Sequence, residues 1–342
     1  MSQAKTYSLA AGSTVCLLLI LIGCADTAKE TAGPGLEPQE QEPAVTLALN
    51  FAPQDLTTYK VTTEAENSVI WGGPIASKPK GFTGGHTGNK IELTFTRRIQ
   101  SIDDEGNAAA AITIKELKYL AKVKDNIVLD FDSSREKDRN NPLITLIGQS
   151  YTIEITPSGQ VTKVIDVSSA RAAVEGSASV NKRAEQLLSA EAIKERHSIP
   201  ALPAAEKNQL RTDGNWSSIK TFSFGPMGSK TYEKIYELKE IKDTDGRRIA
   251  IIEMSFIPSS ERAKELYKEQ VTGIFSQMFD NPVEIYTGRL KLDLTAGEVE
   301  QYFEEFRSEW VAVDLMAPSE EDKEPDTLRM GAIRLYRIER ID

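Results

Sequence analysis

The amino-acid sequence predicts a β-rich α+β protein in which two related units of curved antiparallel β-sheet are joined by a helical connector. Short runs of alternating apolar and polar residues, rich in β-branched side chains, recur along the chain. The same order of strands and turns returns about 140 residues later, and helical periodicity is confined to a few segments. With 342 residues, 40% of them hydrophobic, the chain can bury a core without disulfides or metals.

The first segment contains both cysteines of the chain, Cys16 and Cys24. The apolar run 15–22 is shorter than the roughly 20 residues of a membrane-spanning helix and has the length of the apolar core of a signal peptide. It ends in the tetrad LIGC at residues 21–24, which resembles the lipobox of bacterial lipoproteins. The resemblance implies cleavage between Gly23 and Cys24 and lipidation of the Cys24 sulfur, so that acyl chains anchor the protein to a membrane. A plain secretory signal with a chance cysteine is the alternative.

The residues after Cys24 bear on the choice of membrane and on the tether. Gram-negative lipoproteins retained at the inner membrane tend to carry Asp directly after the cysteine. Ala25 stands there in this chain and Asp26 follows, so the resemblance favours the outer membrane, facing the periplasm. Segment 25–43 is rich in Pro, Gly, Glu and Thr and has too little apolar surface to offset its ordering entropy.

These features predict the domain organisation. We expect a lipoprotein signal peptide at 1–23, a disordered tether at 24–43, an N-terminal β unit at 44–175, a helical connector at 176–212 and a C-terminal β unit at 213–342.

Six alternating runs predict half-buried antiparallel strands in the N-terminal unit. Hairpin turns are expected at residues 103–106 (DDEG) and 156–159 (TPSG). The six runs are YKVTTEAE (59–66), KIELTFTRRI (90–99), AAAITIKEL (109–117), NIVLDFD (126–132), YTIEITPSG (151–159) and QVTKVID (160–166).

The C-terminal unit repeats this pattern, which indicates an internal duplication. Four pairs of landmarks are each separated by 138 to 140 residues and occur in the same order. Chance similarity is the alternative, because strand–turn–strand units with Asp-Gly are common in β proteins. The pairs are Ile102 with Ile241, Gly106 with Gly246, Ile155 with Leu294, and Gly159 with Gly297.

Two segments show helical periodicity, and a third is ambiguous. Residues 179–196 place apolar side chains on one face and are expected to join the two units, and residues 260–280 carry a wider apolar stripe. Residues 298–310 combine a capping box at Thr295 and Glu298 with helical spacing, whereas the repeat makes Val299 the start of a strand. The long-range repeat favours the strand.

Few residues suggest a catalytic site or a site for a metal or nucleic acid. The formal net charge of −10 argues against nucleic-acid binding, which needs a basic surface. His86 lies in a glycine-rich stretch expected to be a mobile loop, and His197 ends a predicted helix, where a cation suits the helix dipole. Neither histidine has a partner at metal-ligand spacing, and we predict no cofactor.

Two aspartates form the weak candidate for a metal or acid–base site. Asp130 and Asp132 alternate along a strand, so both carboxylates point to one face, where they could bind Ca²⁺ or act as an acid–base pair. A solvated strand face ending at a turn is the preferred interpretation.

Two further features of the C-terminal unit are interpreted structurally. Trp216 is expected to pack in the core. Four arginines near the C-terminus are expected to charge a solvated edge strand rather than bind a polyanion. They are Arg329, Arg334, Arg337 and Arg340.

The stretches FDSS, GQSYTIEITPSGQV, DGNWSS and YELKEIKDTDGRRIAII resemble a family of bacterial secreted and lipoprotein domains that has no established activity, over roughly residues 50–315. The expected architecture is also similar to that of periplasmic lipoprotein carriers, in which a curved antiparallel sheet wraps helices. We therefore expect a non-enzymatic, membrane-anchored envelope lipoprotein that binds a hydrophobic or envelope ligand. A structural protein that binds other envelope proteins, and an envelope hydrolase using Asp130 and Asp132, are the alternatives.

Overall fold

The structure is a computed structural model that describes residues 43–72, 78, 80–224, 227–258, 280–313 and 327–341. The strands in these ranges are β1 (Val45–Thr46), β2 (Leu56–Trp71), β3 (Gly85–Ile102), β4 (Ala108–Val123), β5 (Asn126–Asp132), β6 (Ser150–Ile155), β7 (Val161–Ile165), β8 (Gln209–Leu210), β9 (Asn215–Ser223), β10 (Ser229–Thr244), β11 (Arg247–Pro258), β12 (Asp280–Asp293), β13 (Glu298–Val313) and β14 (Thr327–Arg340). The α-helices are α1 (Ser168–Ala172), α2 (Ala178–Leu187) and α3 (Ala190–His197), and 3₁₀ turns span Glu136–Asp138, Pro142–Leu146 and Ala205–Lys207.

One large antiparallel sheet dominates the described part of the chain and confirms the predicted β-rich α+β class. Its neighbouring strands follow the order β7-β6-β4-β3-β2-β14-β13-β12-β11-β10-β9, and β5 pairs with β4 off this path. β1 and β8 form a separate two-stranded pair. All six alternating runs predicted as strands lie within β2 to β7.

The strand order repeats along the chain, as the sequence landmarks indicated. The neighbours β2-β3-β4-β6-β7 in the first half correspond to β9-β10-β11-β12-β13 in the second half. Gly159 and Gly297 occupy the same turn in the last hairpin of each half, with φ angles of 74° and 68°. Glycine adopts this left-handed conformation without the steric penalty of a Cβ atom, so both turns favour glycine at this position.

The second half of the sheet is strongly curved. The ring of Phe222 on β9 stacks on that of Phe306 on β13 at a centroid distance of 4.9 Å. Four steps separate these strands, which is about 19 Å in a flat sheet at 4.8 Å per step. The contact therefore requires the sheet to curl with its aromatic face inward.

Helices cover the inner face of the first half. Leu187, Leu188 and Ile193 of the α2–α3 region are fully or almost fully buried. The ring of His197, at the end of α3, packs edge-on against Phe95 of β3 at 4.6 Å. Among the described residues, one continuous hydrophobic cluster joins these side chains to those inside the second half.

The prediction of one continuous helix at residues 179–196 is wrong. Two helices, α2 and α3, occupy this region, and Ser189 separates them in an extended conformation (φ −64°, ψ 151°). Its hydroxyl accepts a hydrogen bond from the Ala192 amide at 3.1 Å, which caps α3 as serine commonly does.

Two other interpretations are settled, and one stretch is not described. Residues 298–310 belong to strand β13, which confirms the preference for a strand over a helix there. His86 does not lie in a mobile loop, since residues 85–90 of the glycine-rich stretch belong to strand β3, which pairs with β2; residues 81–84 precede the strand. Residues 259–279, which contain almost all of the second predicted helix, lie outside the described residues.

The C-terminal strand β14 corrects the prediction of an edge strand. β14 pairs with β13 on one side and with β2 on the other, and so lies at the centre of the sheet. Its arginines misled the prediction because charged strands are typical of edges. In the structure these arginines have protein partners instead.

A buried carboxylate ties the strands at this junction together. Glu298 on β13 is 9% exposed. Its oxygens accept hydrogen bonds from Thr57 of β2 at 2.7 Å, Arg97 of β3 at 3.1 Å and Arg340 of β14 at 2.7 Å. One side chain thus links four adjacent strands from both halves.

We predict that Glu298→Gln strongly destabilises the fold. The amide removes the counter-charge of the buried Arg97 and one ion pair of Arg340, and breaking a buried pair in this way costs about 3–5 kcal/mol. Urea unfolding of the full chain measures the loss. Glu309→Gln on the same strand is the control, since the Glu309 side chain is 43% exposed, and we expect a loss below about 1 kcal/mol there. Equal losses in the two variants would contradict the role assigned to Glu298.

Candidate functional site

A cavity of about 830 Å³ lies where the two halves of the sheet meet. Its walls come from β2, β3 and β4 of the first half, from β9, β10 and β13 of the second half, from the central strand β14 and from helices α2 and α3. Small-molecule sites in proteins commonly have volumes of about 300–1,000 Å³. The cavity is therefore large enough for an organic ligand.

Much of the cavity wall is apolar. Ile91 and Tyr119 line it from the first half of the sheet, Leu187 from α2, and Phe222 and Phe306 from the second half. Phe222 and Phe306 belong to a cluster of aromatic rings that fills the concave face of the second half. Neighbouring ring centroids in this cluster are between 4.8 and 6.5 Å apart. The cluster consists of Phe222, Phe224, Tyr232, Phe256, Tyr286, Phe306 and Trp310.

A buried ion pair lies in this apolar wall. The Lys234 ammonium is 2.8 Å from both carboxylate oxygens of Glu304, and the two side chains are 3% and 12% exposed. The hydroxyl of Tyr302 donates to the same carboxylate at 2.6 Å. Burial opposes the charged form of Lys234, but Glu304 and the neighbouring Tyr236 raise its pKa above the ordinary value. The pair is therefore charged and internally compensated.

The tyrosines around the pair remain protonated. Burial, with Glu304 as the next contribution, raises the pKa of Tyr302 well above its ordinary value and raises that of Tyr286 as well. Burial likewise raises the pKa of Tyr336. Their hydroxyls act as hydrogen-bond donors at neutral pH and do not supply a base.

Arg334 crosses the open side of the curled sheet. Its Nη1 donates to the carbonyl oxygens of Glu66 and Ile333 at 3.0 and 2.8 Å. Its Nη2 donates to Asn67 Oδ1 at 3.0 Å and to the carbonyl of Ser223 on β9 at 3.2 Å. All these acceptors are neutral, and burial lowers the pKa of the guanidinium.

Arg196 also lines the cavity, from the C-terminal end of α3. It is 5% exposed. Its Nη2 donates to the carbonyl of Leu187 at 2.8 Å, while its Nη1 is buried and has no hydrogen-bond partner among the described residues. The hydroxyl of Tyr336 on β14 donates to the Arg196 carbonyl at 2.8 Å, which fixes this end of α3 against the sheet.

The candidate aspartates lie away from this cavity. Asp130 on β5 accepts a bidentate hydrogen bond from Arg135 at 2.9 and 3.0 Å. Asp132 accepts from Ser134 at 2.7 Å and is 3.3 Å from Lys118. These hydrogen bonds lower the pKa of both carboxyls. Each aspartate thus has a local partner of the kind expected of a solvated strand end.

The two histidines occupy different environments. His86 pairs with Asp125 at 2.9 Å near the surface, and this hydrogen bond lowers the pKa of Asp125. His197 is 5% exposed and its Nε2 is 2.7 Å from the hydroxyl of Tyr151. Burial, followed by the charges of Arg196 and Arg97, lowers its pKa well below 6.5. The prediction of a cationic histidine at the end of the helix is therefore wrong, since His197 is neutral.

The remaining predicted residues are structural or lie outside the described part. Trp216 packs in the core, as predicted: it stacks on Tyr236 at 5.6 Å and donates to the carbonyl of Ala201 at 3.1 Å. Gly23 and Cys24 lie outside the described residues.

The described ranges contain no cluster of three or more His, Cys, Asp or Glu side chains suited to a metal ion. No described helix has both the length and the apolar character required to cross a bilayer.

Sequence reasoning did not identify Lys234, Glu304 and Arg196 as cavity residues, although the strands carried a signal. Lys234 lies between Tyr232 and Tyr236, in phase with the buried face of β10. Glu304 lies between Tyr302 and Phe306, in phase with the buried face of β13. Opposite charges in the buried phase of two strands of one sheet predict an internal ion pair.

Comparisons with known proteins give distant likenesses. No protein-family model and no curated protein matches the chain. A solved structure described as lipid–protein interactions in lipovitellin aligns with 86% of this chain at 9% identity and a TM-score of 0.37, and the chain spans about a quarter (26%) of that protein. DynF from the dynemicin biosynthesis pathway of Micromonospora chersina aligns with 89% of this chain and 92% of its own at 7% identity and a TM-score of 0.16. At these scores neither likeness indicates a function.

We predict that His197 makes stability depend on pH in mildly acidic solution. The unfolded chain binds a proton at His197 near pH 6.5 and the folded chain does not, so lowering the pH below about 6.5 favours unfolding. The free energy of unfolding should fall by up to about 1.4 kcal/mol per pH unit from this one group. Urea titrations of the full chain between pH 7.5 and 5 measure the slope.

The His197→Gln variant should have a flatter slope in this pH range, whatever its absolute stability. His86→Gln is the comparison variant, because it removes a histidine that is 42% exposed, and it should flatten the slope less than His197→Gln does. A slope that is the same in all three proteins would show that another group is responsible.

Proposed function

We propose that the protein is a lipid-anchored, non-enzymatic binding protein of the bacterial cell envelope that holds a hydrophobic ligand in the cavity between its two β units. The cavity is the single observation that carries this proposal. Its volume of about 830 Å³ is in the usual range for a ligand site, and aromatic and aliphatic side chains from three parts of the fold line it.

The chemistry of the cavity favours binding over catalysis. Lys234 is charged and held by Glu304, so it is not a free amine nucleophile. The tyrosines that surround this pair have raised pKa values and cannot serve as bases near neutral pH. The acidic and basic groups identified there are engaged with one another or stay protonated.

The proposed location depends on the N-terminal segment. Cys24 ends a lipobox, and the polar stretch 25–43 that follows has the composition of a tether. Acylation of this cysteine with two or three chains gives stable membrane attachment. A tethered protein of this kind could present the cavity to the periplasm while it remains at the outer membrane.

We predict that filling the cavity abolishes ligand retention. Ala192 on α3 lines the cavity, and Ala192→Phe places a ring in the space that the ligand occupies. A misfit of this kind in an apolar pocket weakens binding about tenfold or more. Native mass spectrometry and lipid extraction of the full chain, purified from its host in mild detergent, measure the apolar ligand retained per chain.

The matched control is Ala205→Phe, which adds the same ring at an exposed position outside the cavity. It should retain as much ligand as the unmodified protein. If the unmodified chain carries no ligand, or if both variants lose it equally, the cavity is not the binding site.

A separate prediction concerns the anchor. Cys24→Ser should leave the chain unlipidated, because serine lacks the sulfur that receives the diacylglycerol, and should release it from the membrane fraction. Intact-mass analysis and membrane fractionation measure both effects. Cys16→Ser, within the apolar run, is the control and should be processed normally. An unmodified, uncut parent chain would exclude the lipoprotein assignment without bearing on the cavity.

A further inference from the structure

Not every charged side chain that lines the cavity is paired with a side chain of opposite charge. Lys234 is paired with Glu304 at 2.8 Å, and Lys220 is 3.5 Å from Glu195. Arg196 and Arg334 also line the cavity, and within the described residues neither has a carboxylate within ion-pair distance. Two positive charges are left over in the wall of one cavity.

Glu64 does not offset this excess. It is one of the residues of β2 that line the cavity, but residues of a strand alternate between its two faces. The buried phase of β2 contains Tyr59, Val61 and Thr63, so the Glu64 side chain belongs to the opposite phase. The cavity is thus locally cationic in a chain with a formal net charge of −10.

Arg196 is the more deeply buried of the two arginines. It is 5% exposed, and within the part of the chain that the structure describes one of its terminal nitrogens has no hydrogen-bond partner. A buried guanidinium with an unused donor and no counter-charge is costly, because desolvation of an ion is repaid only by a partner. Such a group is common where a ligand supplies the missing charge.

Tyr336 connects the strand that carries Arg334 to the helix end that carries Arg196. Tyr336 donates its hydroxyl to the Arg196 carbonyl at 2.8 Å, and Arg334 is two residues from Tyr336 on the same face of β14. Its terminal nitrogens contact only neutral oxygens. Both arginines thus line the same cavity as the apolar side chains of Phe222 and Phe306.

We propose that the ligand is an anionic amphiphile, whose carboxylate or phosphate group is held in the region of Arg196 and Arg334 while its hydrocarbon chain lies against the aromatic and aliphatic walls. This inference rests on the proposed binding function and adds the chemical class of the ligand. A fatty acid and a phosphate monoester of a long-chain alcohol share the chemistry that these arginines recognise.

The experiment compares three photoactivatable probes with the same hydrocarbon chain. A diazirine-bearing hexadecanoic acid, hexadecyl phosphate and hexadecanol are each presented to the full chain in phosphatidylcholine nanodiscs at pH 8. Labelling is then quantified on peptides that contain the cavity-lining residues of α3 and β9. Because charge-assisted hydrogen bonds are favourable by more than one power of ten in affinity, we expect at least about tenfold more labelling by one or both acids than by the alcohol.

The arginine variants test whether these two residues hold the acidic group. Arg334→Gln and Arg196→Gln should each lower labelling by the acids toward the level of the alcohol and leave labelling by the alcohol unchanged. Arg334→Lys keeps the charge and should preserve part of the preference. Arg337→Gln is the matched control on the same strand, since Arg337 is exposed and near Glu339 at 3.2 Å, and it should change nothing.

Each outcome decides between the proposals. If the alcohol labels the cavity as strongly as the acids, the preference for an anion is overturned and the binding function stands. If the acids are preferred but neither glutamine variant lowers their labelling, the two arginines are not the site of the charge. If no probe labels the cavity, the binding function fails together with this inference. Near-UV circular dichroism identifies a variant that does not fold, and the other glutamine variant then decides.

Discussion

Glu298 holds together the junction on which the rest of the structure depends. It lies almost buried where β2, β3, β13 and β14 meet, and it accepts hydrogen bonds from Thr57, Arg97 and Arg340. Without β14 between β2 and β13, the two repeated halves would have no hydrogen-bonded continuity in the described sheet. The carboxylate therefore compensates the buried guanidinium of Arg97 on β3 and pairs with Arg340 on the central strand, at the junction where the two halves of the sheet meet.

The two halves fill their concave faces in different ways, and the cavity is a consequence. Helices α2 and α3 occupy the first half, with His197 packed against Phe95 and hydrogen-bonded to Tyr151. The second half is filled by its own aromatic side chains, and Phe222 reaches Phe306 across four strand steps. The two fillings meet in one hydrophobic cluster but leave a space between the helices and the ring cluster, which is lined by the arginines and the Lys234–Glu304 pair.

Local patterns in the sequence predicted the strands and turns, because alternation and turn residues act over a few positions. The runs at 59–66 and 126–132 lie in β2 and β5, and Gly159 has the positive φ that its turn requires. The partners of a strand depend on distant residues, so the arginines of β14 suggested an edge although the strand is central. The neutral state of His197 also depends on long-range packing, since residues from other elements bury it. The candidate site is assembled from seven strands and two helices, and only Arg334 of its charged residues had been singled out.

The distribution of charge inside the fold separates structural groups from those available to a ligand. Glu298 is bonded to two arginines, and Glu304 to Lys234 and Tyr302, so the charges in these two networks are compensated by partners on neighbouring strands. Arg196 and Arg334 meet only neutral oxygens, even though each could have been replaced by an uncharged donor if the hydrogen bonds to carbonyl groups were the whole requirement. A guanidinium in such a place carries a desolvation cost that the fold itself does not offset. The binding of an anionic group in the cavity would offset that cost. The central strand β14, which joins the two halves of the sheet, would then also determine the charge of the ligand that the cavity accepts.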